Sequence, residues 1–130
     1  MSPSPTFPRV LPPKADPMAA VMSETQMLDA VVSCAHAFGW LAHHCRPGMN
    51  RRGIWSTAIQ GDAGFPDLVL VRKGHVVFAE LKTERGKLSD EQVVWGSALI
   101  DAFGGAPRNP LYQVWTPAHW RDGTIEKVLR

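Results

Sequence analysis

Two apolar runs separated by four polar residues limit this chain more than any other feature. They are Leu68–Val71 and Val76–Leu81, joined by Arg72-Lys73-Gly74-His75, inside the stretch GFPDLVLVRKGHVVFAELK. Short runs rich in β-branched residues around a Gly-containing turn predict a β-hairpin. With Lys73-Gly74 as the two turn residues, the register follows. Arg72 faces His75, Val71 faces Val76, Leu70 faces Val77, Val69 faces Phe78 and Leu68 faces Ala79. One step further, Asp67 lands opposite Glu80. Directly paired residues share a face, with Cβ atoms roughly 5 Å apart. Lys82, two residues after Glu80, shares that face too.

Apolar residues on both faces of the hairpin imply a buried sheet, in which unneeded charge is costly. Like charges directly opposite one another destabilise a strand pair. One reading is a strand-end salt bridge between Lys82 and either acid at a solvated sheet edge. The other is a divalent cation between the two acids. Their hard oxygen donors suit Mg²⁺ or Mn²⁺. A lysine beside them to orient or deprotonate water completes what metal-assisted phosphodiester hydrolysis requires.

Around this hairpin the chain reads as a mixed α/β protein. Ser23 with Gln26 three residues on is a capping-box signal, and Met27, Leu28, Val31, Cys34, Ala35 and Phe38 recur at helical spacing up to Gly39. Trp40–Arg46 reads as a strand and Pro47–Phe65 as a long loop. Ser89 and Gln92 repeat the capping signal ahead of a second helix, whose expected apolar side is Val94, Trp95, Ala98, Leu99, Ala102 and Phe103, stopped by Gly104-Gly105. LYQVWT is a last strand, and a turn and short helix finish the chain. The order α-β-β-β-α-β-(α) predicts a mixed sheet with helices on both faces.

The 130 residues fit one domain at 23–130, preceded by a proline-rich arm at 1–22 that is expected to be extended or disordered. Fourteen Lys+Arg against twelve Asp+Glu do not by themselves identify a nucleic-acid partner. Two cysteines make no disulfide framework, so a reduced, cytoplasmic setting is expected. No apolar run is long enough to span a membrane, and the arm lacks the apolar stretch of a signal peptide.

Pro66-Asp67 followed by Glu80-Leu81-Lys82 resembles the PD-(D/E)XK nuclease superfamily. The longer pattern ELKTERGKLSDEQ, with GWL, RP, RRG and GDAGFPD upstream, is similar to its VRR-NUC branch, in particular stand-alone phage and bacterial members. The resemblance covers about residues 23–129. It implies a restriction-endonuclease-like αβββαβ core and a metal-dependent endonuclease acting on DNA, selective for branched or junction structures and usually homodimeric. Asp67 and Glu80 would hold Mg²⁺ or Mn²⁺, with the Leu81 carbonyl as a further ligand and Lys82 as the catalytic lysine. Glu24 matches an upstream acidic position able to hold metal through water, and Gln92 matches a helix glutamine beside the site. The proline-rich arm departs from the family pattern. A restriction- or repair-type nuclease on ordinary duplex, and a non-catalytic DNA-binding module, are the alternatives.

Other candidates have bland readings beside the functional one. Glu24 also suits a helix N-terminus, and Gln92 also suits a capping box. Arg46, Arg51, Arg52 and Lys87 are candidate phosphate contacts or solvated surface charge. His43-His44-Cys45 lacks the partner spacing of a zinc site. Trp95 and Trp115 read as packing residues, and Trp55 as a DNA or dimer contact. No GxxxxGK[ST] loop and no G-x-S-x-G elbow occurs.

Overall fold

The computed structural model describes residues 22–44, 48–49, 55–56, 60–103 and 112–130. Helix α1 (Glu24–Ala37) starts where the sequence places it. The Ser23 hydroxyl accepts the Gln26 N–H (3.1 Å), and the Gln26 side-chain oxygen accepts the Ser23 N–H (3.0 Å). Met27, Val31 and Ala35 form its buried stripe. Strand β1 (Leu41–His44) follows, then the two-residue strands β2 (Gly48–Met49) and β3 (Trp55–Ser56), which pair antiparallel. The expected long loop therefore carries a small ladder of its own.

The hairpin is β4 (Leu68–Arg72) and β5 (His75–Leu81), and all five expected pairs, from Arg72–His75 to Leu68–Ala79, are in place. Its turn has positive φ at both Lys73 (43°) and Gly74 (79°), the conformation of a tight two-residue hairpin turn. Helix α2 (Asp90–Ala102), strand β6 (Tyr112–Trp115) and the short helices α3 (Pro117–Arg121) and α4 (Thr124–Leu129) complete the chain. Where a turn and one helix were expected after β6, there are two helices. Pro117 opens α3, a position that suits a residue lacking an N–H.

The main sheet runs β1-β4-β5-β6, antiparallel except for the parallel β5–β6 pair. Strand alternation sends Leu68, Leu70, Val77, Ala79 and Trp115 to one face. There they meet α1 and the buried Ile125 and Leu129 of α4. Arg72 ties the edge of this layer. Its guanidinium lies 4.5 Å from the Trp40 ring centre and donates to the carbonyls of Phe38 and Leu129, both at 2.9 Å. The opposite face carries Val69, Phe78, Tyr112 and Glu80 under α2.

The expected apolar side of α2 is a poor account of how that helix packs. Val94 is 68% exposed and Phe103 47%, while Trp95 and Leu99 are only half-buried. Gly96 is the one fully buried residue of the helix. Gly104-Gly105, Cys45 and arm residues 1–21 lie outside the described residues. Among the described residues, no helix is long and apolar enough to cross a membrane.

Candidate active site

Extending the hairpin register by one step brings Asp67 and Glu80 together at the end of β4–β5. Asp67 lies just before β4, where its Oδ2 accepts the Leu81 N–H at 2.8 Å. This bond bridges the two strands and fixes the Asp67 carboxyl beside the end of β5. Glu80 is 2% exposed and, among the described residues, is the one charged residue in the buried set. Its Oε1 accepts from the Gln92 side-chain amide at 2.8 Å. Its Oε2 is buried and receives no hydrogen bond from a donor among the described residues.

Burial, first, pushes the Glu80 carboxyl up to about 8. The neighbouring Asp67 charge and a hydrogen bond with Asp67 add to the rise, and Lys82 opposes it. A buried carboxyl raised this far, beside a second acid and a lysine, makes this strand end the candidate site.

Lys82 follows directly after β5. Its backbone N–H donates to the Trp115 carbonyl at 2.9 Å, which extends the β5–β6 ladder by one bond. Its side chain is half-buried and lines a small cleft with Ser23, Glu24, Met27, Thr83 and Pro117. Glu24 is thus brought to the lysine from the first turn of α1. Among the described residues no three His, Cys, Asp or Glu side chains form a metal-holding group, so Glu24 does not join Asp67 and Glu80 in one cluster. The acid pair is the donor set that is present. A buried, unserved carboxyl oxygen beside a second carboxyl fits a hard divalent cation, and Leu81 at the strand end meets Asp67 through its N–H.

Gln92 is delivered by the start of α2. Ser89 caps the helix through its hydroxyl (3.2 Å from the Gln92 nitrogen), and the Gln92 oxygen accepts the Ser89 N–H at 2.8 Å. That bond leaves the amide NH₂ for Glu80, so one side chain closes the cap and also contacts the buried acid. Lys87 is exposed in the loop between Lys82 and α2. Arg121 of α3 pairs with Glu84 in the same loop. Arg46, Arg51 and Arg52 lie outside the described residues, as does the Trp55 side chain. Trp115 is buried at 1% exposure, and Trp95 meets Phe65 edge-on, as expected of packing residues.

Three neighbours of the site went unread in the sequence: Gly64, Gly96 and Tyr112. The Tyr112 hydroxyl is buried without a hydrogen-bond partner among the described residues, and burial followed by the Glu80 and Asp67 charges raises its pKa. A glycine inside a helix costs about 1 kcal/mol relative to alanine. Gly96, one turn beyond Gln92, was therefore a signal of close packing. Comparison of the chain with protein-family models, curated proteins and solved structures gives no match.

Proposed function

We propose that the chain is a metal-dependent endonuclease hydrolysing DNA phosphodiester bonds, with branched or junction DNA as its substrate and a homodimer as its working form. The observation that carries this reading is the pairing of Asp67 with a buried Glu80 whose Oε2 has no donor among the described residues, with Lys82 two residues on. The four-stranded order β1-β4-β5-β6, with α1 and α2 on opposite faces, supports a restriction-endonuclease-like αβββαβ core. The substrate class and the dimer rest on the sequence resemblance alone.

In this reading Asp67, Glu80 and the Leu81 carbonyl hold Mg²⁺ or Mn²⁺, with Glu24 as an outer acid. A bound ion would supply Lewis acidity toward the phosphate and toward water. The rest of the chemistry belongs to the chain. Asp67 is pinned through Oδ2 by the Leu81 N–H, which fixes its carboxyl at the strand end. Gln92 holds Glu80 in one orientation, the kind of outer support that keeps a ligand in place. Lys82 positions the attacking water and stabilises charge developing on the phosphate. Arg46, Arg51, Arg52 and Lys87 contact the DNA backbone.

Labelled four-way junctions, flaps and plain duplex, incubated with Mg²⁺ or Mn²⁺, test this. Wild type should cut a branched substrate, and Lys82→Ala should lower the rate by about 10²-fold or more. Equal cutting by Lys82→Ala, or no cutting by wild type with either ion, removes the proposal. Preferential cutting of plain duplex keeps the nuclease and discards the junction.

A further inference from the structure

Helix α2 presents Gln92 to Glu80, yet it has no buried apolar stripe to seat it. Val93 is 48% exposed, Val94 68%, Ile100 51% and Phe103 47%. What does approach the helix closely sits at two glycines. A Cβ at Gly96 would lie 2.6 Å from both Cε1 and Cζ of Tyr112 on β6, and 3.0 Å from its hydroxyl. A Cβ at Gly64, in the segment entering Asp67, would lie 2.5 Å from the Glu91 carbonyl carbon and 2.8 Å from the Gln92 nitrogen. Gly64 also has φ of +97°, which side-chain-bearing residues rarely adopt. Around these contacts the Trp95 indole N–H donates to the Asp62 carbonyl (3.2 Å), and Phe65 sits edge-on to both Phe78 and Trp95.

We propose that Gly64 and Gly96 are positioning residues for the active site: the absence of a side chain at each lets α2 seat deeply enough for the Gln92 amide to grip Glu80. The two glycines bracket the helix from different elements. Gly64 belongs to the strand-entry segment and touches the first turn. Gly96 belongs to the helix and lies four residues after Gln92, on the same face. The Gln92–Glu80 bond is 2.8 Å long, and a hydrogen bond weakens steeply once its partners separate or tilt. A Cβ at Gly64 meets the backbone of α2 itself, and a Cβ at Gly96 meets the Tyr112 ring packed under the helix, so in the proposal α2 yields at both and Gln92 is carried away from Glu80. The catalytic consequence rests on the nuclease reading above, whereas the seating of Gln92 does not.

The test reads the two separately. The ¹⁵N spectrum of the Gln92 side-chain amide, assigned by its loss in Gln92→Ala, is recorded without metal or DNA, and junction cleavage is measured in parallel. Gly96→Ala should move the amide signal to the position of an exposed glutamine and lower cleavage about 10–100-fold. Adding Tyr112→Val removes the ring that the new Cβ meets. The double variant should return the amide signal toward wild type and recover most of the cleavage. Gly96→Ala with a wild-type amide signal overturns the proposal, whatever the cleavage rate. If Gly96→Ala is unfolded by circular dichroism, the double variant decides. Refolding with a wild-type-like Gln92 signal supports the proposal, and continued unfolding overturns it. A set of variants whose amide signals follow the pattern while none of them, wild type included, cuts DNA removes the nuclease reading and leaves the seating of α2 standing.

Discussion

Helices α1 and α2 begin with the same device and end with different tasks. Each opens on a serine whose hydroxyl caps the N3 N–H, and each has a glutamine at N3 returning the bond. In α1 the exposed Gln26 closes the cap, and the helix is held by Met27, Val31 and Ala35 in the core. In α2 the matching Gln92 closes the cap with its oxygen and grips a buried carboxyl with its nitrogen. Its helix buries only Gly96. One helix is a wall of the core, and the other is a bracket for a side chain. A capping box satisfies orphan N–H groups at any helix start. Whether its glutamine acquires a second partner depends on what the sheet presents beneath it.

The largest test of this contrast is packing. Met27→Ala on α1 should cost about 2–5 kcal/mol in denaturant unfolding, because it opens a cavity in the core. Val94→Ala on α2 should change stability by less than about 0.5 kcal/mol. A large loss at Val94 would show that α2 packs through its apolar residues after all.

Next comes the pH dependence of the carboxyl that α2 covers. Glu80 binds its proton more tightly folded than unfolded, since its value rises from 4.5 to about 8. Its contribution to stability is full below pH 4.5 and is lost as pH rises through about 8. Between pH 5 and 9 the metal-free wild type should lose stability on the order of 2 kcal/mol relative to Glu80→Gln, after allowance for solvent screening. Parallel pH–stability curves for the two proteins would remove the buried-acid account.

The smallest effect separates the two glutamines themselves. Gln26→Ala and Gln92→Ala should each cost about 1 kcal/mol or less through the lost cap bond. Only Gln92→Ala should also weaken Mn²⁺ binding by calorimetry, by about tenfold or more. Equal Mn²⁺ affinity in the two variants would make Gln92 a cap and nothing else.

Much of this molecule was readable before any coordinates. A Lys-Gly turn fixes the hairpin register, and a two-residue period then forces Asp67 to stand opposite Glu80. Both helix starts were readable because a cap is a contact over three residues. The packing of α2 was misread, because its apolar residues suggested a buried stripe while the close approach is made at a glycine. Helical spacing reports which residues share a face and is silent on how deeply that face is buried. The same holds for the end of the chain, where α4 supplies Ile125 and Leu129 to the core.

By itself the sequence determined the local bonds: turn type, strand register, helix caps and the placing of two acids and a lysine on one hairpin end. Only the tertiary structure decided that Glu80 is buried, that Gln92 reaches it, and that Gly64 and Gly96 leave no room for a Cβ beside α2 and Tyr112. Burial and close approach depend on elements far apart in the chain, and a spacing rule read along one segment carries no term for them.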